Sequence, residues 1–249
     1  MLSTSDLTFI EKKGITAEMI DAQLKRFEVG FPFLKINAVA TIGNGIKAFS
    51  PEETAACVKA WSDFQQTGKA IEKFVPASGA ASRMFKNMFA FASSGKDAPT
   101  TDFEKEYFEN ITKFAFYADL NNACRKLYRS NVQELMSAGR YVDVVKAMLE
   151  PEGLNYGFLP KALLKFHKTT GGNAHTPLEE HLEEGAQYAA DKNRKVNLHF
   201  TVSPEHKAEF EKLLTAKLPI YEQVWGVKYN VTMSEQKSST DTIAVNMDN

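Results

Sequence analysis

The chain has 249 residues, of which 43% are hydrophobic and 24% are charged, and its formal net charge is −1. This length and composition predict a water-soluble globular protein built from one large domain or two small ones. A net charge so close to zero excludes a broad electrostatic attraction to nucleic acid or to an anionic membrane, so we expect neither as a partner.

Cysteine usage and the N-terminal residues indicate a cellular compartment. Cys57 and Cys124 form neither a CxxC pair nor a metal-ligand cluster, which favours a reducing environment. The first residues carry Asp6 and Glu11 and lack the apolar core of a signal peptide. No apolar run approaches the roughly 18 residues that span a bilayer. We therefore expect a cytoplasmic protein.

Residues 1–69 predict an N-terminal extension with helices and a hairpin. Thr16 can cap a helix over residues 17–27. Asn44-Gly45 lies between apolar residues, a pattern typical of a hairpin turn. A Ser-Pro-Glu-Glu start then predicts a helix over residues 51–66.

The segment that follows predicts an anion site. Phe74-Val75 forms a short apolar run that stops at Pro76, which marks the end of a strand. Small residues come next, and a helix-like pattern begins at Arg83. A strand, a small-residue turn and a helix start aim backbone N–H groups and a positive helix end at an anion, most often a phosphate.

This turn resembles the signature loop of nucleotide-sugar pyrophosphorylases and other nucleotidyltransferases. The motif residues Gly79, Ser82, Arg83 and Met84 match directly, whereas Ala81 stands where the family usually has a second glycine. The resemblance implies that Arg83 clamps a phosphate. It also implies that the nucleotide lies against the loop residues Ala77, Ser78, Gly79, Ala80, Ala81 and Ser82.

Further segments are similar to the same family in the same order. Pro160-Lys161 resembles the family's P-K segment, which implies that Lys161 contacts phosphate. Ser234-Glu235-Gln236 is similar to the glutamine-bearing segment of the UDP-sugar branch, which implies that Gln236 reads the base. The match covers residues 70–86 and 155–249, so we expect an uncharacterised bacterial domain-of-unknown-function family within this superfamily.

Residues 87–150 interrupt the resemblance and predict a helical insertion. Thr101 and Glu104 form a capping box ahead of an aromatic-rich helix. A packed helical subdomain is one interpretation. The alternative is a lid or a partner-binding element, with its polar tip at residues 93–97.

From residue 158 the chain alternates between strands and helices. We predict a strand after 158, a helix over 177–190, a strand over 195–202, a helix over 204–216, a strand over 227–233 and a strand near 240–247. The pattern predicts an α/β domain over 70–249, with a mixed, mostly parallel sheet in a three-layer α/β/α arrangement. The resemblance makes this a Rossmann-like nucleotidyltransferase fold, incomplete at its C-terminus, and implies a piece of a longer protein.

The resemblance implies a reaction and a cofactor. A nucleoside triphosphate and a sugar 1-phosphate would give a nucleotide sugar and pyrophosphate, with Mg²⁺ as cofactor. The metal ligands are not assigned, since the late aspartates Asp241 and Asp248 fit no metal motif. The alternatives are a nucleotide- or phosphate-binding domain without catalysis, and a protein-interaction module. The sequence indicates no oligomeric state.

Each candidate also has a simpler interpretation. Arg83 is otherwise a surface arginine in a first helical turn, Lys161 a solvated lysine, and Ser82 a helix cap. The run from His175 to Glu184 is rich in histidine and glutamate. It is either a solvated acidic helix face or a metal site, although it lacks HExxH spacing.

Overall fold

The computed structural model describes residues 2–169 and 171–245. The chain divides into two compact units, Met1–Ser62 with Gln236–Asn249, and Asp63–Glu235. The small-residue loop at 77–83 and Lys161 both belong to the second unit.

The first unit is mainly helical. It contains α1 (Thr4–Lys12), α2 (Ala17–Val29), β1 (Thr41–Ile42), β2 (Gly45–Ile46) and most of α3 (Pro51–Gln65). The Thr16 hydroxyl accepts a hydrogen bond from the Met19 N–H at 3.2 Å, which confirms the predicted cap of α2. Ser50 and Glu53 exchange the two bonds of a capping box, which confirms the start of α3. The predicted hairpin of two antiparallel strands is wrong, because β1 and β2 pair in parallel and only an isolated antiparallel bridge joins Thr41 to Asn44.

The strand predicted near 240–247 is wrong over its described part. Ser238–Thr240 form a 3-10 helix, and residues 241–245 have no regular structure. The Ile243 N–H donates to the side-chain oxygen of Gln23 at 2.9 Å instead of to a neighbouring strand. Alternating apolar residues were therefore not enough to form a strand in this segment. Residues 246 and 247 lie outside the described part of the chain.

The second unit contains a parallel sheet. In chain order its elements are β3 (Glu72–Pro76), α4 (Lys86–Ser93), α5 (Asp102–Glu109), α6 (Tyr117–Tyr128), α7 (Val132–Ser137), α8 (Tyr141–Leu149), β4 (His167–Lys168), β5 (Ala174–His175), α9 (Pro177–Tyr188), β6 (Lys195–Val202), α10 (Lys207–Trp225) and β7 (Lys228–Glu235). The strands β3, β6 and β7 pair in that order, all parallel. The α/β class and a parallel sheet are thus confirmed.

Helices cover one face of this sheet. Along β6 the buried residues alternate, and Leu198 and Phe200 belong to one core cluster with Leu182 of α9 and Phe210 of α10. The alternation explains this arrangement, because only one face of the strand is apolar.

The other face of the sheet carries polar side chains. The two ring nitrogens of His199 lie 2.7 Å from the Thr232 hydroxyl and 2.8 Å from the Ser234 hydroxyl. Phe74 stacks on His199 and is 59% exposed. The described residues of this unit therefore form two layers rather than the expected three, because polar side chains do not suit burial under a second helical layer.

The helical insertion is confirmed between β3 and the segment at 160. Helices α4 to α8 enclose their own apolar core, in which Leu120, Cys124, Val144 and Met148 are fully buried. The aromatic-rich helix is shorter than its pattern suggested, because α5 ends at Glu109 and a 3-10 turn follows at Ile111–Lys113.

The strand predicted after residue 158 does not begin at Lys161, and among the described residues only the two-residue strands β4 and β5 lie between 158 and α9. Pro160 instead precedes a 3-10 helix over Lys161–Leu163, and the next residue, Leu164, is buried in the helical core. Among the described residues, no helix is long and apolar enough to cross a membrane.

Candidate functional site

The small-residue loop leaves the sheet at the carboxyl end of β3. Its first residue, Ala77, is buried and donates its N–H to the Thr201 carbonyl of β6 at 2.8 Å. Gly79 and Ala80 are exposed, and the chain then turns back so that Ala81 is only 1% exposed. The loop therefore rises from the edge of the sheet at which parallel α/β proteins bind ligands.

The two segments that resemble the nucleotidyltransferase family are joined through their backbones. The Lys161 N–H donates to the Gly79 carbonyl at 3.0 Å. Ala80 and Pro160 form an antiparallel bridge. The structure thus brings together a loop and a lysine that are far apart in the chain.

Several backbone donors of the loop are free. The N–H groups of Ser78, Gly79, Ser82 and Arg83 donate to no residue that the structure describes. Since an anion can accept hydrogen bonds from consecutive backbone N–H groups, these donors make the loop a candidate phosphate cradle.

The predicted helix start at Arg83 is wrong. Helix α4 begins at Lys86, and its N-cap residue Phe85 makes no side-chain cap hydrogen bond. Residues 81–85 instead form a tight turn in which the Met84 N–H donates to the Ala81 carbonyl at 2.8 Å. The turn sends both Ala81 and Phe85 into the core. Consequently Ser82 caps no helix and Arg83 lies before α4.

The burial of position 81 explains why this chain can have alanine where the resembling family usually has glycine. The Ala81 side chain belongs to the core of the helical subdomain. Its φ is not positive, so this backbone does not require a glycine. The methyl group therefore packs inward.

The predicted cations are exposed. The side chains of Arg83 and Lys161 make no hydrogen bond or ion pair with any described residue. Lys165, which is near Lys161 in the chain, is bound to the Asp119 carboxylate at 2.7 Å. Arg83 and Lys161 thus have charges that no described carboxylate neutralises.

One further polar group at this edge was not predicted. Ser203 follows β6 directly, two residues after the Thr201 carbonyl that binds Ala77. Its hydroxyl oxygen is buried and has no hydrogen-bond partner among the described residues. Because β6 pairs with β3 up to Thr201 opposite Pro76, Ser203 follows β6 at the same edge of the sheet from which the loop leaves β3, and local spacing held no signal for this.

Two further sequence expectations stay predictions. Gln236 directly follows β7 and is grouped with the first unit, and no described contact assigns it a role. No three histidine, cysteine, aspartate or glutamate side chains in the described residues form a group that could hold a metal ion. Mg²⁺ as a cofactor stays a prediction, since one or two carboxylates together with the substrate phosphates are enough to bind it. In the first unit Asp241 pairs with Lys13 at 3.8 Å, and Asp248 lies outside the described residues.

The acidic run at the start of α9 forms separate pairs rather than one cluster. Glu180 contacts His167, and Glu184 contacts Lys73 and His181. Glu179 is not on a solvated face, because it is 1% exposed and pairs with Lys217 of α10. Most of these carboxylates therefore connect elements of the fold.

Comparisons with known proteins identify a family but no described activity. No curated protein and no solved structure matches the chain. A family profile described as a domain of unknown function, DUF4301, matches residues 3–249. The expectation of a domain-of-unknown-function family is thus confirmed, whereas the nucleotidyltransferase superfamily stays a prediction. The chain belongs to the DUF4301 family.

Proposed function

We propose that this chain binds the phosphates of a nucleoside triphosphate along residues 77–83 and transfers the nucleotidyl group to a sugar 1-phosphate. The observation that carries the proposal is the hydrogen bond from the Lys161 N–H to the Gly79 carbonyl at 3.0 Å. This bond holds both family-like segments together at the carboxyl edge of a parallel sheet, the usual ligand position in α/β proteins.

The free N–H groups of Ser78, Gly79, Ser82 and Arg83 are the proposed phosphate donors. The Arg83 and Lys161 side chains, both exposed, supply positive charge. Preorganised donors and cations of this kind stabilise the charge that develops during phosphoryl transfer.

The proposed step needs little proton transfer. An oxygen of the sugar 1-phosphate forms a bond to the α-phosphorus of the nucleotide. The bond from that phosphorus to the bridging oxygen breaks, and pyrophosphate leaves with the electron pair. The loop residues hold the two substrates in position, and Arg83 and Lys161 supply positive charge. No part of this step is assigned to Mg²⁺, because no ligand for the metal is identified among the described residues.

The proposal includes the finer fold assignment, a Rossmann-like sheet of the nucleotidyltransferase type. Two features of the second unit support it. Helix α10 connects the adjacent parallel strands β6 and β7, and the loop follows the neighbouring strand β3. Crossovers between parallel strands are typical of folds of this type, and their ligands lie beyond the carboxyl ends of the strands.

Binding is tested by isothermal titration of the purified protein with the ribonucleoside triphosphates and dTTP. Arg83→Ala and Lys161→Ala should each weaken binding of the preferred nucleotide about tenfold or more, because each removes a charged hydrogen bond. Arg125→Ala is the matched control, since Arg125 is an exposed arginine of α6 with no partner among the described residues. Equal affinity in Arg83→Ala and Arg125→Ala would contradict the proposal.

Gly79→Ala tests the loop backbone itself. A Cβ at Gly79 would meet no atom within 4 Å, and its φ is not positive, so the variant should fold normally. If a phosphate lies against the Gly79 N–H, the added methyl group should still weaken nucleotide binding. Unchanged affinity would place the phosphate elsewhere.

Catalysis is tested separately by pyrophosphate release in the presence of the bound nucleotide, Mg²⁺ and a panel of sugar 1-phosphates. Release that Arg83→Ala abolishes would support nucleotidyl transfer. Binding without release would leave the second candidate, a phosphate-binding domain without catalysis.

A further inference from the structure

A second concave feature of this unit lies in the helical subdomain. A cavity of about 550 Å³ opens between α4, α5, the 3-10 turn after α5 and Phe166. This volume is within the range of small-molecule pockets. Residues 77–83 do not line it, whereas the next two residues, Met84 and Phe85, do.

Aromatic rings form much of its surface. Phe116 and Tyr107 are 4% and 9% exposed and form the floor, whereas Phe103 is 45% exposed and lies at the rim. The Phe114 ring stacks on Phe116, with ring centres 5.2 Å apart and planes 8° apart. Phe114 also packs against Tyr107, with ring centres 5.2 Å apart. The rings therefore hold one another in place.

The polar groups of the lining are mostly engaged elsewhere. The Tyr107 hydroxyl donates to the sulfur of the buried Met148 at 3.1 Å. Burial also raises the pKa of Tyr107, so its hydroxyl stays neutral. The Asn110 amide donates to the backbone carbonyl of Glu106 at 2.8 Å.

The charge of the cavity comes from one residue. Of the described residues that line it, Glu106 alone is charged. The Glu106 carboxylate is exposed and makes no hydrogen bond or ion pair with any described residue. A cation inside the cavity would thus be surrounded by aromatic rings and an unneutralised carboxylate, both of which can attract positive charge.

We propose that this cavity binds a hydrophobic organic cation, an alkylated ammonium group that carries an apolar substituent. Aromatic faces attract such cations through the ring quadrupole, and Glu106 supplies the counter-charge. The apolar lining favours the substituent, whereas an anion would be repelled by Glu106. The binding chemistry is separate from phosphate recognition and does not depend on it.

The test is titration of the full chain with benzyltrimethylammonium, in which the NMR chemical shifts of the protein report binding. Glu106→Gln and Phe103→Leu should each weaken binding at least about threefold, the first by removing the charge and the second by removing a ring while keeping apolar area. Glu109→Gln is the matched control, because Glu109 lies on the same helix, is exposed and does not line the cavity. Each variant's melting temperature should match that of the wild type.

A second pair of probes isolates the charge. Choline and its neutral isostere 3,3-dimethylbutan-1-ol have nearly the same shape, and choline should bind at least about threefold more tightly. Equal binding of the two would overturn the proposal and leave a general apolar cavity. The proposal also fails if benzyltrimethylammonium does not bind at about 10 mM, or if Glu106→Gln and Glu109→Gln bind it equally.

Discussion

The Glu179 carboxylate and the Lys217 ammonium group lie 2.6 Å apart and link α9 to α10. Glu179 is 1% exposed and also accepts hydrogen bonds from the Thr176 N–H and hydroxyl, both at 3.0 Å. Burial acts to raise the pKa of Glu179, but the bonds from Lys217 and Thr176 outweigh it and hold the pKa below its usual value. A buried carboxylate in this setting depends on its partners.

Removal of the lysine should therefore destabilise the second unit. We expect Lys217→Met to lower the free energy of unfolding by about 3 kcal/mol, because Glu179 stays buried without its counter-charge. The measurement is urea denaturation at neutral pH. Lys212→Met is the control, since Lys212 is an exposed residue of the same helix, and it should change stability by less than about 0.5 kcal/mol. Equal losses of stability in the two variants would show that the Glu179–Lys217 pair does not stabilise the fold.

Glu104 should contribute an acid-dependent part of the stability. The N–H groups of Thr101 and Thr100 donate to its carboxylate at 3.0 Å and 2.7 Å, and they lower its pKa to about 2. As the pH falls, Glu104 is therefore protonated in the unfolded chain before it is protonated in the folded protein. Its contribution to the free energy of unfolding is complete above the ordinary glutamate pKa, about 4.3, and is lost as the pH falls toward 2.

The variant Glu104→Gln checks this pH dependence. Glutamine can keep the capping geometry but does not titrate. We expect its free energy of unfolding, measured in urea from pH 6 to pH 2.5, to fall less steeply on acidification than that of the wild type. Parallel curves for the two proteins would rule out the predicted contribution of Glu104.

Ala81→Gly would introduce the glycine that the resembling family carries. Because the Ala81 methyl group is buried in the helical core, we expect a loss of about 1 kcal/mol from reduced burial and greater backbone entropy in the unfolded chain. Chemical denaturation measures this loss. Nucleotide affinity should not change, since the methyl group packs inward, and tighter binding by the variant would argue against that packing.

Gly153→Ala should be strongly destabilising for a steric reason. A Cβ at Gly153 would lie 1.9 Å from the Ala147 carbonyl oxygen, in the turn that reverses the chain after α8. We expect a loss of more than about 2 kcal/mol, or no folded protein. Gly79→Ala is the matched control, because its Cβ meets open space. Similar melting temperatures for the two variants would contradict the described turn.

The features that were predicted correctly depend on residues close together in the chain. Thr101 and Glu104 exchange their capping bonds across three positions, and the alternation over 195–202 matches β6 residue for residue. By contrast, the pattern near 240–247 has the same alternation in part but forms no strand in the described residues. A strand needs a partner, and local alternation does not supply one.

The sequence by itself thus determined the caps, the helical insertion, the α/β class and the order of the family-like segments. Only the tertiary structure decided which distant groups meet. It paired Gly79 with Lys161, buried Glu179 against Lys217 and gathered aromatic rings and Glu106 around one cavity. The physical reason is that these contacts join segments far apart in the chain, so their geometry depends on sheet order and helix packing, which residue spacing does not encode.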